Sequence, residues 1–377
     1  MKRGRLSLVL VVLLFSSTLH AQLNRITISA GSPEDQALQA IAAEQDGQKK
    51  PAMYEDFLQK FSANPQALAY GNWQLSQYYQ NAGDLPKALD YGDKAIASAP
   101  GNFDILVSEA NLAQQAKDTG KIIQYSLQGG NAYNAIGKDP KPEAMSDQDF
   151  ASAVEAEKQS AKGARDFFEA TAFNAIAGET DARKRVAYIE LFTPAFPKSS
   201  FEEQITSFAM VSLSELKDTP RLIAYGEKSL TTNPNSLPVL LLLANAYGDD
   251  PKPGSAAKAV TYAQKAIVVA KADAPDADRT RKVSAGAAHS TLGYAYMKQD
   301  KTLASIPELK AACVLLKGQD DQSYAAAMYR LGFAYAKVSK LTEAREILME
   351  AVKIPGPLQP MSQDLLTKVN TARAKGR

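Results

Sequence analysis

Apolar residues recur every three or four positions along most of the chain, and polar residues fill the positions between them. This is the spacing of one face of an α-helix. Val and Ile rarely alternate with polar residues, so runs typical of strands are scarce. Alanine, a strong helix former, is plentiful. The pattern predicts an all-α protein built from many helices.

The clearest repeating unit runs from Tyr324 to Pro355. In its first half, Leu331-Gly332 is followed three residues later by Tyr335. Its second half carries small and apolar residues at helical spacing, at Ala344, Leu348 and Ala351. Small residues let two antiparallel helices approach closely, and the larger ones fill the space between one helix pair and the next. The unit therefore predicts a helix pair that packs against neighbouring pairs.

Other copies of this unit occupy most of the chain. Ala69–Pro100 carries Leu75, Ser76 and Tyr79 at the same spacing, and a third copy begins at Gly286. Five weaker copies follow the same period, at Glu34–Pro65, Phe103–Asn134, Asp166–Pro197, Glu203–Pro234 and Leu237 to about Lys271. Repetition at a fixed period is the signature of a stacked array.

These motifs resemble the tetratricopeptide (TPR) repeat, with Met328 at a position where the family often has tryptophan. The resemblance covers nearly all of residues 34–356. It implies a right-handed α-solenoid of about eight stacked antiparallel helix pairs, as in an exported bacterial TPR protein. It also implies that the first helix of each pair lines a concave groove where a partner binds.

Two segments interrupt the repeats. Gly129–Asp147 is rich in glycine and proline and predicts a loop, and Asp249–Gly254 predicts an insertion in a turn. Between them, residues 148–177 predict a long helix. The resulting boundaries are a signal peptide at 1–21, an extended lead-in at 22–33, N-terminal repeats at 34–134, a loop at 135–147, central repeats with the long helix at 148–271, C-terminal repeats at 272–356, and a capping helix with a tail at 357–377.

The first residues have the pattern of a secretory signal. Lys2, Arg3 and Arg5 precede the apolar run Leu6–Phe15, and Leu19-His20-Ala21 offers a cleavage site. The alternative, a membrane anchor, needs about 20 apolar residues, and the run is shorter. No later stretch predicts a membrane span. The pattern therefore predicts export, to the periplasm or outside the cell.

Cleavage changes the charge balance. It removes three of the 43 basic residues and none of the 41 acidic ones, so the remaining chain is close to −1. A nearly neutral chain has no general electrostatic attraction to nucleic acid, so no nucleic-acid partner is expected.

Residues for catalysis are scarce. Beyond the signal, His289 is the only histidine, at a helical packing position, and Cys313 is the only cysteine, in an apolar run. The chain has neither metal-binding nor nucleotide-binding motifs, so no metal, no cofactor and no enzymatic activity are expected. The acidic pairs Asp249-Asp250 and Asp320-Asp321 leave one alternative, an enzyme on a helical scaffold acting on polysaccharide.

Partner binding is the leading hypothesis, as a scaffold or adaptor of the cell envelope that holds a protein or peptide segment in the groove. Aromatic residues in such a groove would anchor the partner, but Trp73 and Phe333 could equally pack between repeats. A structural homo-oligomer remains a further alternative. The candidates placed in the groove by helical spacing are Tyr70, Trp73, Gln77, Gln80, Asn81, Tyr294, Lys298, Tyr329, Phe333 and Lys337.

Overall fold

The computed structural model describes residues 25–274 and 276–375, so the signal peptide predicted at 1–21 lies outside the described residues. This part of the chain contains 17 helices and no strand. In chain order they are α1 (Pro33–Ala43), α2 (Lys50–Lys60), α3 (Pro65–Asn81), α4 (Leu85–Ser98), α5 (Phe103–Ala116), α6 (Thr119–Ala135), α7 (Asp147–Gly178), α8 (Ala182–Ala195), α9 (Glu202–Glu215), α10 (Thr219–Thr232), α11 (Leu237–Asp249), α12 (Ser255–Ala270), α13 (Arg279–Lys298), α14 (Thr302–Leu316), α15 (Asp321–Lys337), α16 (Leu341–Ala351) and α17 (Gln359–Lys375).

The helices form successive antiparallel pairs. α3 packs on α4, α5 on α6, and the same holds for each pair from α9–α10 to α15–α16. α1 packs on α2 in the same way, which makes seven such pairs among the described residues, and α17 follows the last of them. The predicted class, an all-α fold of stacked helix pairs, is confirmed.

Capping residues explain why the helices begin where they do. Asn64, Asp84 and Asp118 each precede a helix and accept a hydrogen bond from a backbone N–H of its first turn. Such caps satisfy donors that have no partner within the helix. Two turns that join the helices of a pair use left-handed backbone, at Gly83 and, 34 residues later, at Lys117. The period therefore appears in the turn geometry as well as in the packing.

The contacts divide the chain into two compact units. Among the described residues, the first comprises those up to Ala175 together with Pro194–Phe196, and the second comprises Ile176–Thr193 and those from Pro197 onwards. The first unit holds α1 to α6 and most of α7. Its start is packed, because the Thr27 N–H donates to Gln66 Oε1 at 3.2 Å and Ile28 contacts the core around Phe57.

The loop predicted from Gly129 onwards begins later in the structure than expected. Gly129 and Gly130, predicted within a loop, lie inside α6, which continues to Ala135. A Cβ at Gly129 would overlap the Phe168 ring, and one at Gly130 would overlap Phe196. The glycines are therefore required by the close approach of two aromatic rings, and they do not break the helix.

In the second unit, the first helices of successive pairs also contact one another. α9 touches α11, α11 touches α13, α13 touches α15, and α15 touches α17. Leu331, Leu348 and Leu366 from α15, α16 and α17 share one buried cluster. The first helices of this unit thus form a continuous surface. Within the described ranges, no helix has the length and apolar character of a membrane span.

Cys313 packs, half-buried, against the cluster that contains Leu309 and Leu331. Burial raises the pKa of its thiol to about 11. Only the thiolate reacts with disulfide reagents. We therefore expect the folded chain at about pH 8 to react about two orders of magnitude more slowly than the chain unfolded in urea, which a chromogenic thiol assay would measure. Equal rates would show that the thiol is freely accessible in the folded state.

Candidate functional site

The ten candidate residues fall into two groups, five on α3 in the first unit and five on α13 and α15 in the second. In the second group Phe333 is the most informative, because 43% of its surface is exposed. Tyr329 and Lys337 lie one turn before and one turn after Phe333 on the same side of α15. Tyr329 is half-buried against the cluster around Leu331. Phe333 therefore stands out from an otherwise packed helix.

Tyr294 lies on α13, which packs beside α15. The Arg330 guanidinium is 4.8 Å from the centre of the Tyr294 ring, and Lys298 Nζ is 5.3 Å from the same centre. The face of an aromatic ring carries negative electrostatic potential, which favours its contact with these two cations. The aromatic residues of this surface are therefore accompanied by positive charge.

Arg330 was absent from the sequence-based candidates. Its Nη1 donates to Ser290 Oγ at 3.0 Å, and within the described part of the chain no carboxylate lies within 4 Å of its guanidinium. Burial lowers its pKa, and the charge of Asp249 acts in the opposite direction. The Arg330 guanidinium is therefore held against α13 by Ser290 and the Tyr294 ring, without a carboxylate in direct contact.

Polar side chains at the edge of this surface are paired with one another. Lys337 Nζ lies 3.1 Å from Asp300 Oδ1, in the turn after α13. On α11, Asn245 Oδ1 accepts a hydrogen bond of 2.5 Å from Thr291. These contacts tie α11, α13 and α15 together, and they leave the Phe333 side chain uncovered.

The first group lies along α3. Tyr70, Trp73 and Gln77 follow one another at helical spacing and are all half-buried. The Trp73 indole Nε1 is buried and has no hydrogen-bond partner among the described residues. Near the end of the helix, Gln80 Nε2 donates to Gln115 Oε1 on α5 at 2.9 Å, and Asn81 is exposed.

Sequence reasoning missed the polar residues of α5 that lie next to these. Asn111, Gln114 and Gln115 are exposed, and they follow Gln77, Gln80 and Asn81 by 34 residues. The repeat Phe103–Asn134 has weak packing motifs, so its first helix supplied no candidates. Alignment of its polar positions with those of the preceding repeat would have found them.

The residues considered for catalysis have structural partners. Asp250 Oδ2 accepts from Ser255 Oγ at 2.7 Å, and Asp320 caps α15 by accepting from the backbone of Gln322 and Ser323. His289 Nδ1 lies 2.7 Å from Glu308 Oε2 in the neighbouring α14. In the ranges that the structure describes, no group of three or more His, Cys, Asp or Glu residues could hold a metal ion.

Comparison with known proteins gives only structural similarities. No family model matches the chain, and no curated protein matches it. The TPR domain of P58(IPK) matches with a TM-score of 0.33 and 11% identity, over 92% of this chain and 99% of that one. The Cut9–Hcn1 hetero-tetramer of APC/C matches with a TM-score of 0.27 and 11% identity, over 91% of each chain. At these scores, no property of either protein is transferred to this chain.

Proposed function

We propose that this chain is an exported, non-enzymatic scaffold of the cell envelope, which binds a protein segment on a surface formed by the first helices of the pairs within one unit. Export rests on the signal pattern of residues 1–21. Binding rests on the exposed Phe333, beside Tyr329 and near the cations that flank Tyr294. An exposed aromatic side chain on a rigid surface is a typical anchor for a partner.

The test compares two exposed apolar residues. Phe333 lies on a first helix, whereas Leu303 lies on α14, a second helix, and is 71% exposed. We expect a partner crosslinked to the native chain in its own envelope fraction to be retained by Leu303→Ala and lost by Phe333→Ala. Affinity purification followed by mass spectrometry would measure the loss, which we expect to be about ten-fold or more, because an aromatic anchor contributes about 2 kcal/mol.

Circular dichroism would confirm that both variants are folded. Equal recovery of the partner with all three proteins would show that Phe333 takes no part in binding, and the proposed function would then lose its main support.

The two alternative functions have weaker support. Asp250 and Asp320, taken from the two acidic pairs, cap or close turns at the ends of different helices, which is a structural role. A homo-oligomer would also cover Phe333. Light scattering of the native chain and Phe333→Ala separates this case, because self-association through Phe333 would give a larger mass for the native chain alone.

A further inference from the structure

Two sets of side-chain amides recur on α3 and α5. Each set occupies positions i, i+3 and i+4, which lie on one face of a helix. The two sets are 34 residues apart, one full repeat. We call them together the amide surface, and its six members are Gln77, Gln80, Asn81, Asn111, Gln114 and Gln115.

Hydrogen bonds show that the two helices lie side by side. Gln80 Nε2 donates to Gln115 Oε1 at 2.9 Å within the amide surface. Below it, Ser76 Oγ on α3 donates to Glu109 Oε1 on α5 at 2.9 Å. Adjacent packed helices have axes about 8–10 Å apart. The two sets of amides therefore form neighbouring rows of one surface.

The two helices carry almost no charge. α3 has no Asp, Glu, Lys or Arg among its 17 residues. α5 has two charged residues, Asp104 in its first turn and Glu109, which is fully buried. A surface without charge has nothing to pair with an ionised ligand group, and such a group would lose hydration on binding.

Only part of the hydrogen-bonding capacity of the amide surface is used within the protein: besides the Gln80–Gln115 bond, Asn111 Nδ2 donates to Val107 O at 2.9 Å and Gln114 Nε2 donates to Thr171 Oγ1 at 3.3 Å. The side-chain amides of Gln77 and Asn81 form no hydrogen bond with any other described residue. Each primary amide offers two donor hydrogens and a carbonyl acceptor. Trp73 lies one turn before Gln77, and Val107 occupies the equivalent place on α5, both half-buried. Amides thus adjoin two apolar side chains that have some exposed surface.

We propose that the amide surface binds an extended peptide segment that lacks charged side chains, through the peptide backbone. A side-chain amide donates and accepts as a peptide group does, so the two are complementary. Neighbouring rows about 10 Å apart match about three residues of an extended chain. An apolar side chain of the segment contacts Trp73. This inference rests on the proposed function and names the chemistry of the partner.

Trp73 is the only tryptophan in the chain, so its fluorescence reports directly on this surface. The probes are three synthetic peptides of about twelve residues that alternate leucine with threonine, glutamate or lysine. A neutral chitin oligosaccharide is the fourth probe. We expect the leucine–threonine peptide to change the Trp73 emission in a saturable way, and the two charged peptides to bind about ten-fold more weakly or not at all.

The variant Gln77→Glu with Asn111→Asp keeps the side-chain shapes and places two carboxylates on the surface. We expect it to weaken binding of the neutral peptide about ten-fold or more. The control is Gln264→Glu, which changes an exposed amide on α12 and should leave the affinity unchanged. Circular dichroism would verify the fold of both variants.

Three results would overturn the inference: no emission change with the neutral peptide, equal binding of the charged peptides, or an unchanged affinity in the double variant. Binding of the oligosaccharide in place of the peptide would do so as well and would identify a glycan surface. None of these results affects the partner capture that depends on Phe333, so failure of this inference and failure of the proposed function are distinguishable.

Discussion

Glu109→Gln is expected to stabilise the protein at about pH 8 by about 3 kcal/mol, and by much less at about pH 5. The Glu109 side chain is fully buried between α3, α4 and α5. Burial raises its pKa to about 7, with a further increase from the charge of Asp93 and an opposing effect of the hydrogen bond from Ser76. A rise of the pKa from the ordinary glutamate value of 4.5 to about 7 corresponds to about 3 kcal/mol of free energy of unfolding.

The direction of the effect follows from proton binding. Between about pH 4.5 and 7 the folded chain holds the Glu109 proton more tightly than the unfolded chain. The free energy of unfolding therefore falls as the pH rises through this range, and the loss is complete above it. Glutamine is neutral at every pH, so the free energy of unfolding of the Glu109→Gln variant does not fall in this way.

Among the residues that the structure describes, no cation lies in direct contact with Glu109. Ser76 Oγ donates to its carboxylate at 2.9 Å, and a Cβ at Gly92 would overlap it. Asp93, on the same helix as Gly92, is paired with Lys121 at 2.5 Å and accepts from Tyr125 at 2.8 Å. Lys121 is therefore engaged by another carboxylate, which leaves the burial cost of Glu109 uncompensated.

Urea denaturation at several pH values would measure the difference between the native chain and Glu109→Gln. The matched control is Glu143→Gln, which changes an exposed carboxylate in the segment between α6 and α7 and should give a flat difference. A Glu109→Gln difference that does not grow with pH would show that this carboxyl remains hydrated in the folded state.

Phe168→Ala is expected to destabilise the first unit by about 4 kcal/mol. Phe168 is fully buried, its ring lies tilted against that of Phe103 with ring centres 6.5 Å apart, and it contacts the α6 backbone at Gly129. Removal of the ring leaves a cavity that rigid helices fill only in part. Thermal or urea denaturation would measure the loss.

Gly129 provides the complementary test. Alanine normally stabilises a helix interior by about 1 kcal/mol relative to glycine, but here its Cβ would overlap the Phe168 ring. We expect Gly129→Ala to destabilise the native chain by about 1–3 kcal/mol and to become neutral or stabilising in the Phe168→Ala background. Such a change of sign would locate the conflict at this contact.

Gly163→Ala serves as the control for helix propensity. Gly163 lies in α7 with no atom within 4 Å of a Cβ placed there, so the substitution should stabilise by up to about 1 kcal/mol. If Gly129→Ala stabilised the native chain as Gly163→Ala is expected to, Phe168 would not lie against Gly129 in the folded protein.

The sequence by itself determined the class of fold and the start of many helices. Small and large apolar residues at a 34-residue period define which helix faces pack, and capping residues such as Asp84 and Asp118 define where helices begin. Both signals are local or strictly periodic, so one sequence is enough to detect them. The candidates on α3, α13 and α15 followed from the same period.

Only the tertiary structure decided the features that depend on a residue far away in the chain. Gly129 looks like a helix breaker until Phe168, 39 residues later, occupies the space above it. Glu109 looks like an ordinary surface carboxylate until α3 and α4 enclose it, and Arg330 acquires its surroundings from α13. Local propensity contains no information about such neighbours, because burial and electrostatic environment arise only when separate helices pack together.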